Sequence, residues 1–212
     1  WARTVKSPNP AFSHIAVPLV STFVVSSNPR RQAFLDPKVD RVGYRFEVRT
    51  GKPPEGASNG TRSGAKGAAF ACIMSGVPIS VEHIRDEASA GRMGFRLLAM
   101  VAEVDGKRVY LPPSDATERS ALIASPAWSP DVRFLPNALG FRVGNYGMTR
   151  WSDLFTPRQT ASLDVLTELV DAAKRKVLAD ATIAGFGADP RRFDEGGSGA
   201  AAYADAVALY LA

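Results

Sequence analysis

The sequence predicts an α+β fold in which an antiparallel, β-rich N-terminal region precedes a helical C-terminal part. Segments rich in β-branched or alternating residues lie before residue 112, an Asp-Gly pair joins two apolar arms, and the clearest helix signals follow residue 150. With 212 residues, 45% of them hydrophobic, the chain is long enough to bury a sizeable core. We expect a β module (1–90), a hairpin and connector (91–150) and a helical region (151–212).

The first strands are predicted from β-branched residues and from alternation. Residues 15–27 are rich in β-branched residues and end at an Asn-Pro turn, which indicates one strand. Residues 32–39 and 42–50 predict two more, and the second alternates apolar and charged side chains as a half-buried antiparallel strand does. Residues 51–68 are rich in Gly, Pro and Ser and carry basic side chains, which predicts an exposed, mobile loop.

A hairpin is predicted in the connector. Apolar arms at 96–104 and 107–111 flank an Asp-Gly pair, which favours a two-residue turn. A Pro-Pro pair ends the second arm. Residues 114–137 are interrupted by prolines, so we expect irregular structure there with one helical turn at 115–124.

Two helices are predicted in the C-terminal part. Thr156 is an N-cap, a proline follows at the first helical position, and Gln159 completes a capping box. Apolar residues recur at helical spacing over 163–178, and a glycine ends the pattern near residue 184. The last helix follows a Gly-Gly-Ser-Gly run. No strand precedes this run, so we expect Ser198 to cap the helix rather than a loop that binds a nucleotide.

Charge is unevenly distributed along the chain. Residues 1–66 carry eleven Lys or Arg and four Asp or Glu (+7), whereas the remainder carries 15 basic and 17 acidic residues (−2). A basic face fits a polyanion such as nucleic acid, and it equally fits the solvated surface of a sheet.

No apolar run approaches the roughly 20 residues that span a bilayer. With a single cysteine and no signal peptide, we expect a cytoplasmic protein without a membrane partner.

Few residues have chemistry of their own. His14, His83 and Cys72 stand apart from other ligand types, so a buried thiol is favoured over a metal site or a Cys–His nucleophile. Residues 9–12 (Asn-Pro-Ala-Phe) are similar to the tetrapeptide with which amino-methyltransferases hold the target amine, but no apolar strand precedes them. We therefore expect no catalytic and no cofactor-binding residue in this chain. Because it starts without Met and stops within a helical pattern, we expect a segment of a larger protein.

One glycine-rich segment combines groups that are common in nucleic-acid interfaces. Arg142, Asn145, Tyr146 and Arg150 supply cationic, amide and aromatic side chains, which contact phosphates or stack on an extruded base. The same side chains are suited to packing the hairpin against the long helix. The residues alone leave both readings open.

A series of stretches along nearly the whole chain resembles one family. They are residues 1–11, 91–94, 99–103, 106–112, 138–143, 146–149, 153–159 and 202–207. In this order they resemble the adenine-specific DNA methylases that contain a zinc ribbon. The resemblance implies a parent enzyme that uses S-adenosylmethionine, with its cofactor loop upstream of this segment and its catalytic Asp-Pro-Pro-Tyr downstream. Neither motif occurs in this chain.

The family's zinc ribbon pairs a Cys-Pro-Asn-Pro-Ala-Cys knuckle with a later Cys-x-x-Cys. The resemblance places these four ligand positions at Ser7, Phe12, Cys72 and Ser75. A structural zinc needs four soft or imidazole ligands, and one thiol remains. We expect a degenerate, metal-free ribbon module in which Phe12 packs with Cys72.

The resemblance implies a non-catalytic segment of a DNA adenine methyltransferase from a host-defence or restriction system. The segment is expected to contribute to DNA binding or target recognition. Contacts with phosphates are expected from Arg30, Arg31, Arg62 and Lys66, and contacts nearer the target base from Arg142, Asn145, Tyr146 and Arg150. The alternative is a structural or protein-interaction module that braces the rest of the methyltransferase, or docks another defence protein, without touching DNA. An exposed apolar face on the last helix is expected to drive self-association.

Overall fold

The computed structural model describes residues 1–64, 68–135, 140 and 142–212. Within these ranges the α+β prediction is confirmed, with antiparallel sheets first and helices mainly towards the C-terminus. The strands are β1 (Ala2–Lys6), β2 (Ala16–Leu19), β3 (Val24–Ser26), β4 (Ala33–Val39), β5 (Tyr44–Thr50), β6 (Ala68–Ala71), β7 (Pro78–Ser80), β8 (Gly94–Arg96), β9 (Met100–Val104) and β10 (Lys107–Leu111). The helices are α1 (Val81–Ser89), α2 (Asp115–Leu122), α3 (Pro157–Ile183) and α4 (Ala200–Leu211).

The chain divides into two compact units. The N-terminal unit comprises Trp1–Ala121 and Arg133–Thr149, and the C-terminal unit comprises Leu122–Val132 and Arg150–Ala212. In the part of the chain that the structure describes, no helix is both long and apolar enough to pass through a bilayer.

The N-terminal unit is built on two three-stranded antiparallel sheets. β1 lies between β2 and β8, and β4 lies between β3 and β5. β6 with β7, and β9 with β10, form two-stranded antiparallel pairs. Val5 and Val17 face each other across β1 and β2 and are almost fully buried, together with Ile79 and Cys72. This cluster and a second one around Leu35 form the core, because adjacent strands present their apolar faces to the same interior.

The strand predicted over residues 15–27 is two strands in different sheets. β2 pairs with β1, whereas β3 pairs with β4. The break lies where Thr61 binds the backbone between them: its hydroxyl donates to the Pro18 carbonyl at 2.8 Å and accepts from the Val20 N–H at 2.9 Å. The buried Thr61 hydroxyl therefore takes the hydrogen bonds that a neighbouring strand would otherwise make here. The chain leaves the first sheet at this point and enters the second.

The loop predicted over residues 51–68 is docked in its described part rather than free. Residues Ala57–Asn59 form one 3-10 turn, and the Phe23 N–H donates to the Ala57 carbonyl at 2.7 Å. Gly60 has φ +56°, and a Cβ at this position would lie 2.2 Å from the Val20 carbonyl oxygen. The composition therefore predicted the turns and the exposure of most of this segment correctly, whereas Ala57 and Thr61 are buried.

The predicted Asp-Gly hairpin is formed by β9 and β10. Asp105 and Gly106 have φ values of +51° and +69°, as a two-residue turn with both central residues in the left-handed region requires. The first arm is shorter than predicted, since Gly94–Arg96 forms β8 and pairs with β1. α2 agrees with the helical turn predicted at 115–124.

The C-terminal unit is organised by α3 and α4. The predicted capping box is present, with the Thr156 hydroxyl accepting from the Gln159 N–H and the Gln159 side chain accepting from the Thr156 N–H. The prediction that Ser198 caps α4 is wrong. Gly199 is the N-cap residue, and the Ser198 N–H and hydroxyl donate instead to the Asp189 carboxylate. A Cβ on Gly199 would lie 2.4 Å from the Gly187 carbonyl oxygen, so this glycine permits close packing of the chain on itself.

Candidate functional site

The four positions aligned with the zinc ligands are brought together by two chain turns. Ser7 follows β1, whereas Cys72 and Ser75 lie in the turn between β6 and β7. The Ser7 hydroxyl donates to the Cys72 sulfur at 3.2 Å, and the Ser75 hydroxyl is also hydrogen-bonded to this sulfur. Phe12 is half-buried and packs against the apolar cluster that contains Cys72. Residues 65 positions apart in sequence therefore converge on one buried thiol.

The surroundings of Cys72 act on its charge in two opposite ways. Burial raises the pKa of the thiol, but hydrogen bonds from Ser7, from Ser75 and from the Met74 N–H outweigh this effect, and the pKa lies below its ordinary value. In a metal site, hydrogen bonds of this kind hold a ligand sulfur in place. The Ser7 hydroxyl is itself held by the turn after β1, because it accepts a hydrogen bond from the Asn9 N–H at 3.2 Å.

These residues do not fit a structural zinc ion. The set contains one thiol, two hydroxyls and one phenyl ring, whereas zinc takes four sulfur, imidazole or carboxylate ligands. Among the residues that the structure describes, no group of three or more His, Cys, Asp or Glu is placed to hold a metal ion. We therefore derive no metal chemistry from this cluster.

A buried carboxylate on α1 was not anticipated from the sequence. Glu87 accepts two hydrogen bonds on Oε1 from the Arg92 guanidinium, at 3.0 and 2.7 Å, and this contact lowers the pKa of the carboxyl. On the same helix, a His83 ring nitrogen lies 2.9 Å from the Lys6 carbonyl oxygen. These contacts tie α1 to the segment after it and to β1, and we assign them a structural role.

The predicted phosphate contacts lie on exposed parts of the N-terminal unit. Arg30 and Arg31 occupy the turn between β3 and β4, which is fixed by the Asn28 side chain accepting from the Arg30 N–H at 3.0 Å. Arg62 is exposed, and its backbone forms a bridge with Phe70. Lys66 lies outside the described residues.

The second predicted group is divided between the two units. Arg142 and Asn145 are exposed around a 3-10 turn, Val143–Tyr146, in the N-terminal unit. The Tyr146 ring is half-buried against the core, with the Arg85 guanidinium 5.8 Å from its centre. Arg150 belongs to the C-terminal unit and is ion-paired with Asp131.

A cleft of about 380 Å³ adds residues that were not predicted for any site. Its lining includes Arg30 and Arg31 together with Arg108 and Tyr110 of β10. The two basic residues Lys107 and Arg108, followed by Tyr110, were the available signal. The proximity of Arg108 and Tyr110 to the 28–32 turn depends on tertiary packing, which the sequence pattern does not reveal.

Comparison with known proteins leaves the function to be inferred from the residues themselves. No family model, curated protein or solved structure matches this chain. The resemblance to zinc-ribbon DNA methylases therefore remains a prediction. The observations on the molecule that bear on it are the convergence around Cys72 and the exposed arginines of the N-terminal unit.

Proposed function

We propose that this chain is a non-catalytic segment of a DNA adenine methyltransferase that contributes to DNA binding. The observation that carries the proposal is a set of exposed arginines in the N-terminal unit. Within the described ranges they form no ion pair with an acidic side chain: Arg30, Arg31, Arg62 and Arg142. An exposed guanidinium without an acidic partner is available to a phosphate oxygen, which it binds in a bidentate, charge-assisted geometry.

The acidic residues of the β4–β5 pair are already engaged in ion pairs. Asp36 lies 2.8 Å from the Lys38 ammonium and 3.3 Å from the Arg49 guanidinium, and Glu47 lies 2.8 Å from Arg49. The hydrogen bond from Lys38 is the main cause that lowers the pKa of Asp36. The charged side chains of β4 and β5 are therefore paired with one another, whereas the arginines of the 28–32 turn have no acidic partner among the described residues.

DNA binding is tested by fluorescence anisotropy on a labelled duplex across a salt series. Each neutralised phosphate contributes about −0.9 to the slope of log K against log salt. The triple substitution R30Q/R31Q/R62Q is expected to reduce the magnitude of this slope by about 2 to 3, because up to three phosphate contacts are lost.

The matched control is Arg45→Gln, because Arg45 is also exposed but lies 3.9 Å from Glu47. It is expected to leave the slope unchanged. Absence of duplex binding at low salt would remove DNA binding as the role of this segment. Equal slopes for the triple variant and the wild type would show that Arg30, Arg31 and Arg62 do not contact phosphates.

A structural or protein-interaction module is the second candidate. It is favoured by apolar side chains exposed on α3, namely Val165, Leu166 and Leu169. Replacing the basic residues of the 51–68 loop by Gln distinguishes the two functions. DNA affinity falls if the loop contacts phosphates, and it hardly changes if the segment binds only protein.

The cluster around Cys72 is proposed to be a zinc-ribbon core that folds without metal. Hydrogen bonds and the packing of Phe12 replace the ligation on this view. The substitutions S7C, F12C and S75C, combined, place four thiols at the aligned positions and are expected to create binding of one zinc per chain. Cobalt absorbance and competition with a chelator measure it. One tightly held zinc in the unmodified protein would contradict a metal-free ribbon.

The parent enzyme's chemistry is proposed to reside outside this segment. The resemblance places S-adenosylmethionine binding upstream and the catalytic motif downstream. The purified segment is therefore expected to transfer no methyl group. Retention of S-adenosylmethionine by the segment, together with methylation of adenine, would overturn the non-catalytic role.

A further inference from the structure

A basic cleft lies between the 28–32 turn, the end of β5 and strand β10. Its volume is about 380 Å³. The lining residues are Pro29, Arg30, Arg31, Gln32, Thr50, Gly51, Arg108, Val109 and Tyr110. All of them belong to the N-terminal unit, so the cleft is formed within one compact body.

Backbone pairing fixes the walls of this cleft. The Gly51 N–H donates to the Gln32 carbonyl at 2.9 Å, which closes the end of the β4–β5 pair. Arg108 and Tyr110 are two residues apart on β10, so their side chains project from the same face of the strand. β10 is held in place by its antiparallel pairing with β9, in which Tyr110 lies opposite Val101.

The lining of the cleft is cationic, with one aromatic residue. Among the residues that the structure describes, the lining includes three arginines and no acidic residue. Glu103 stands opposite Arg108 in the strand register, but no ion pair joins them in the described part of the chain. Tyr110 is half-buried, whereas Arg108 is exposed. Several arginines on one cleft favour an anion, and an aromatic ring on the same lining offers a surface for a planar group.

We propose that this cleft binds a nucleotide, with Arg30, Arg31 and Arg108 at its phosphates and Tyr110 against its base. A cleft of this volume lies within the range of about 300–1,000 Å³ that is typical of small-ligand sites. The shared chemistry is a phosphate ester next to a planar base, which either a free nucleotide or one residue of a single strand supplies. The inference goes beyond the proposed binding of duplex DNA and does not depend on it.

Isothermal titration calorimetry at low salt tests the site with three probes: ATP, pyrophosphate and a short single-stranded oligonucleotide. ATP is expected to bind, and Arg108→Gln is expected to weaken it by about tenfold or more, because a charge-assisted contact is lost. Tyr110→Leu is expected to weaken ATP while leaving pyrophosphate unchanged, since pyrophosphate has no base to stack.

The matched control is Arg41→Gln, since Arg41 is exposed in the turn at the opposite end of β4 and β5. It is expected to bind all probes as the wild type does. Failure of ATP to bind, or equal ATP affinity for Arg108→Gln and the wild type, overturns the site. If the oligonucleotide binds more tightly than ATP through the same residues, the natural source is a strand; the reverse order identifies a free nucleotide.

A titration with duplex DNA separates this inference from the proposed function. Nucleotide binding without duplex binding removes the DNA-binding role and supports the cleft. Duplex binding without nucleotide binding supports that role and overturns the cleft as a nucleotide site.

Discussion

At the scale of single residues, Tyr44 joins the two three-stranded sheets. Its hydroxyl donates to the Ala16 carbonyl of β2 at 2.5 Å, while its ring meets Phe46 edge-on at 5.6 Å within its own sheet. The Arg96 guanidinium of β8 lies 5.5 Å from the ring centre. Burial raises the pKa of the Tyr44 hydroxyl to about 12. One side chain therefore connects the sheets by a hydrogen bond, an aromatic contact and a cation–π contact.

Replacement of Tyr44 by Phe is expected to lower the free energy of unfolding by about 1 kcal/mol at neutral pH, because a partly buried hydrogen bond is lost. The pH dependence has a defined sign. The folded-state pKa of about 12 exceeds the unfolded value of 10.0, so the contribution of Tyr44 is complete below pH 10 and is lost as the pH rises towards 12. Tyr44→Phe should lack this alkaline loss.

Urea denaturation at neutral pH and across the alkaline range measures both effects. Tyr210→Phe is the control, because Tyr210 is 90% exposed. Equal alkaline losses in the wild type and Tyr44→Phe would show that the hydroxyl of Tyr44 is not held in this environment.

At the scale of elements, the docked part of the 51–64 loop depends on close backbone approach at Gly60. Thr61 is buried, and its N–H donates to the Val20 carbonyl at 2.8 Å. Any side chain at Gly60 would collide with the same carbonyl. The loop, the end of β2 and the start of β3 therefore form one structural unit.

The substitution Gly60→Ala is expected to destabilise the fold by about 2–4 kcal/mol, because both the positive φ and the 2.2 Å approach to Val20 are violated. Gly56→Ala is the matched control. Gly56 also has a positive φ, +84°, but a Cβ there meets nothing within 4 Å, so only about 1 kcal/mol is expected. Thermal and urea unfolding measure both variants, and equal losses would indicate that the loop is not docked on β2.

Elements with local signals were predictable from the sequence. The capping box at Thr156 and Gln159 satisfies donors within one turn, and the Asp-Gly pair sets its own hairpin, so neither requires distant contacts. β1 was not predicted, and the expectation that no apolar strand precedes residues 9–12 is wrong, since Ala2 and Val5 are buried in this strand. The strand is short, and it pairs with the distant β8, whose Arg96 lies opposite Ala2. α1 was also missed, although Ser80 accepts a hydrogen bond from the His83 N–H as an N-cap.

The candidate sites also combine features that were predictable from local sequence with features that depend on distant contacts. Arg30 and Arg31 are adjacent in the sequence and follow a visible turn signal, so their exposure was predictable. Their proximity to Arg108 and Tyr110 results from packing between the hairpin and the end of β5, which periodicity does not encode. The convergence of Ser7 on Cys72 was anticipated only through the family resemblance, since no spacing rule joins a hydroxyl to a thiol.

At the scale of the whole molecule, α3 exposes several large apolar side chains to solvent. Of the apolar stripe predicted over 163–178, Val170, Ala173 and Val177 are half-buried, while the three leucines, Leu163, Leu166 and Leu178, remain exposed. Val165 and Leu169 add one further turn of exposed apolar surface. A surface of adjoining apolar side chains favours association, because contact removes it from water.

We therefore expect the purified chain to self-associate as its concentration rises, and the double substitution L166Q/L169Q to shift the protein towards monomer. Both side chains are 57% exposed, so glutamine is accommodated without a cavity, and the change acts on association rather than on folding. Val42→Gln is the control, because Val42 is an apolar residue that is 82% exposed in the β4–β5 turn of the N-terminal unit. Sedimentation velocity over a range of concentrations, with circular dichroism to verify helix content, measures the effect. A wild-type chain that stays monomeric throughout would mean that this apolar surface does not bind a second copy, whereas equal association by the wild type and L166Q/L169Q would assign the contact to another surface.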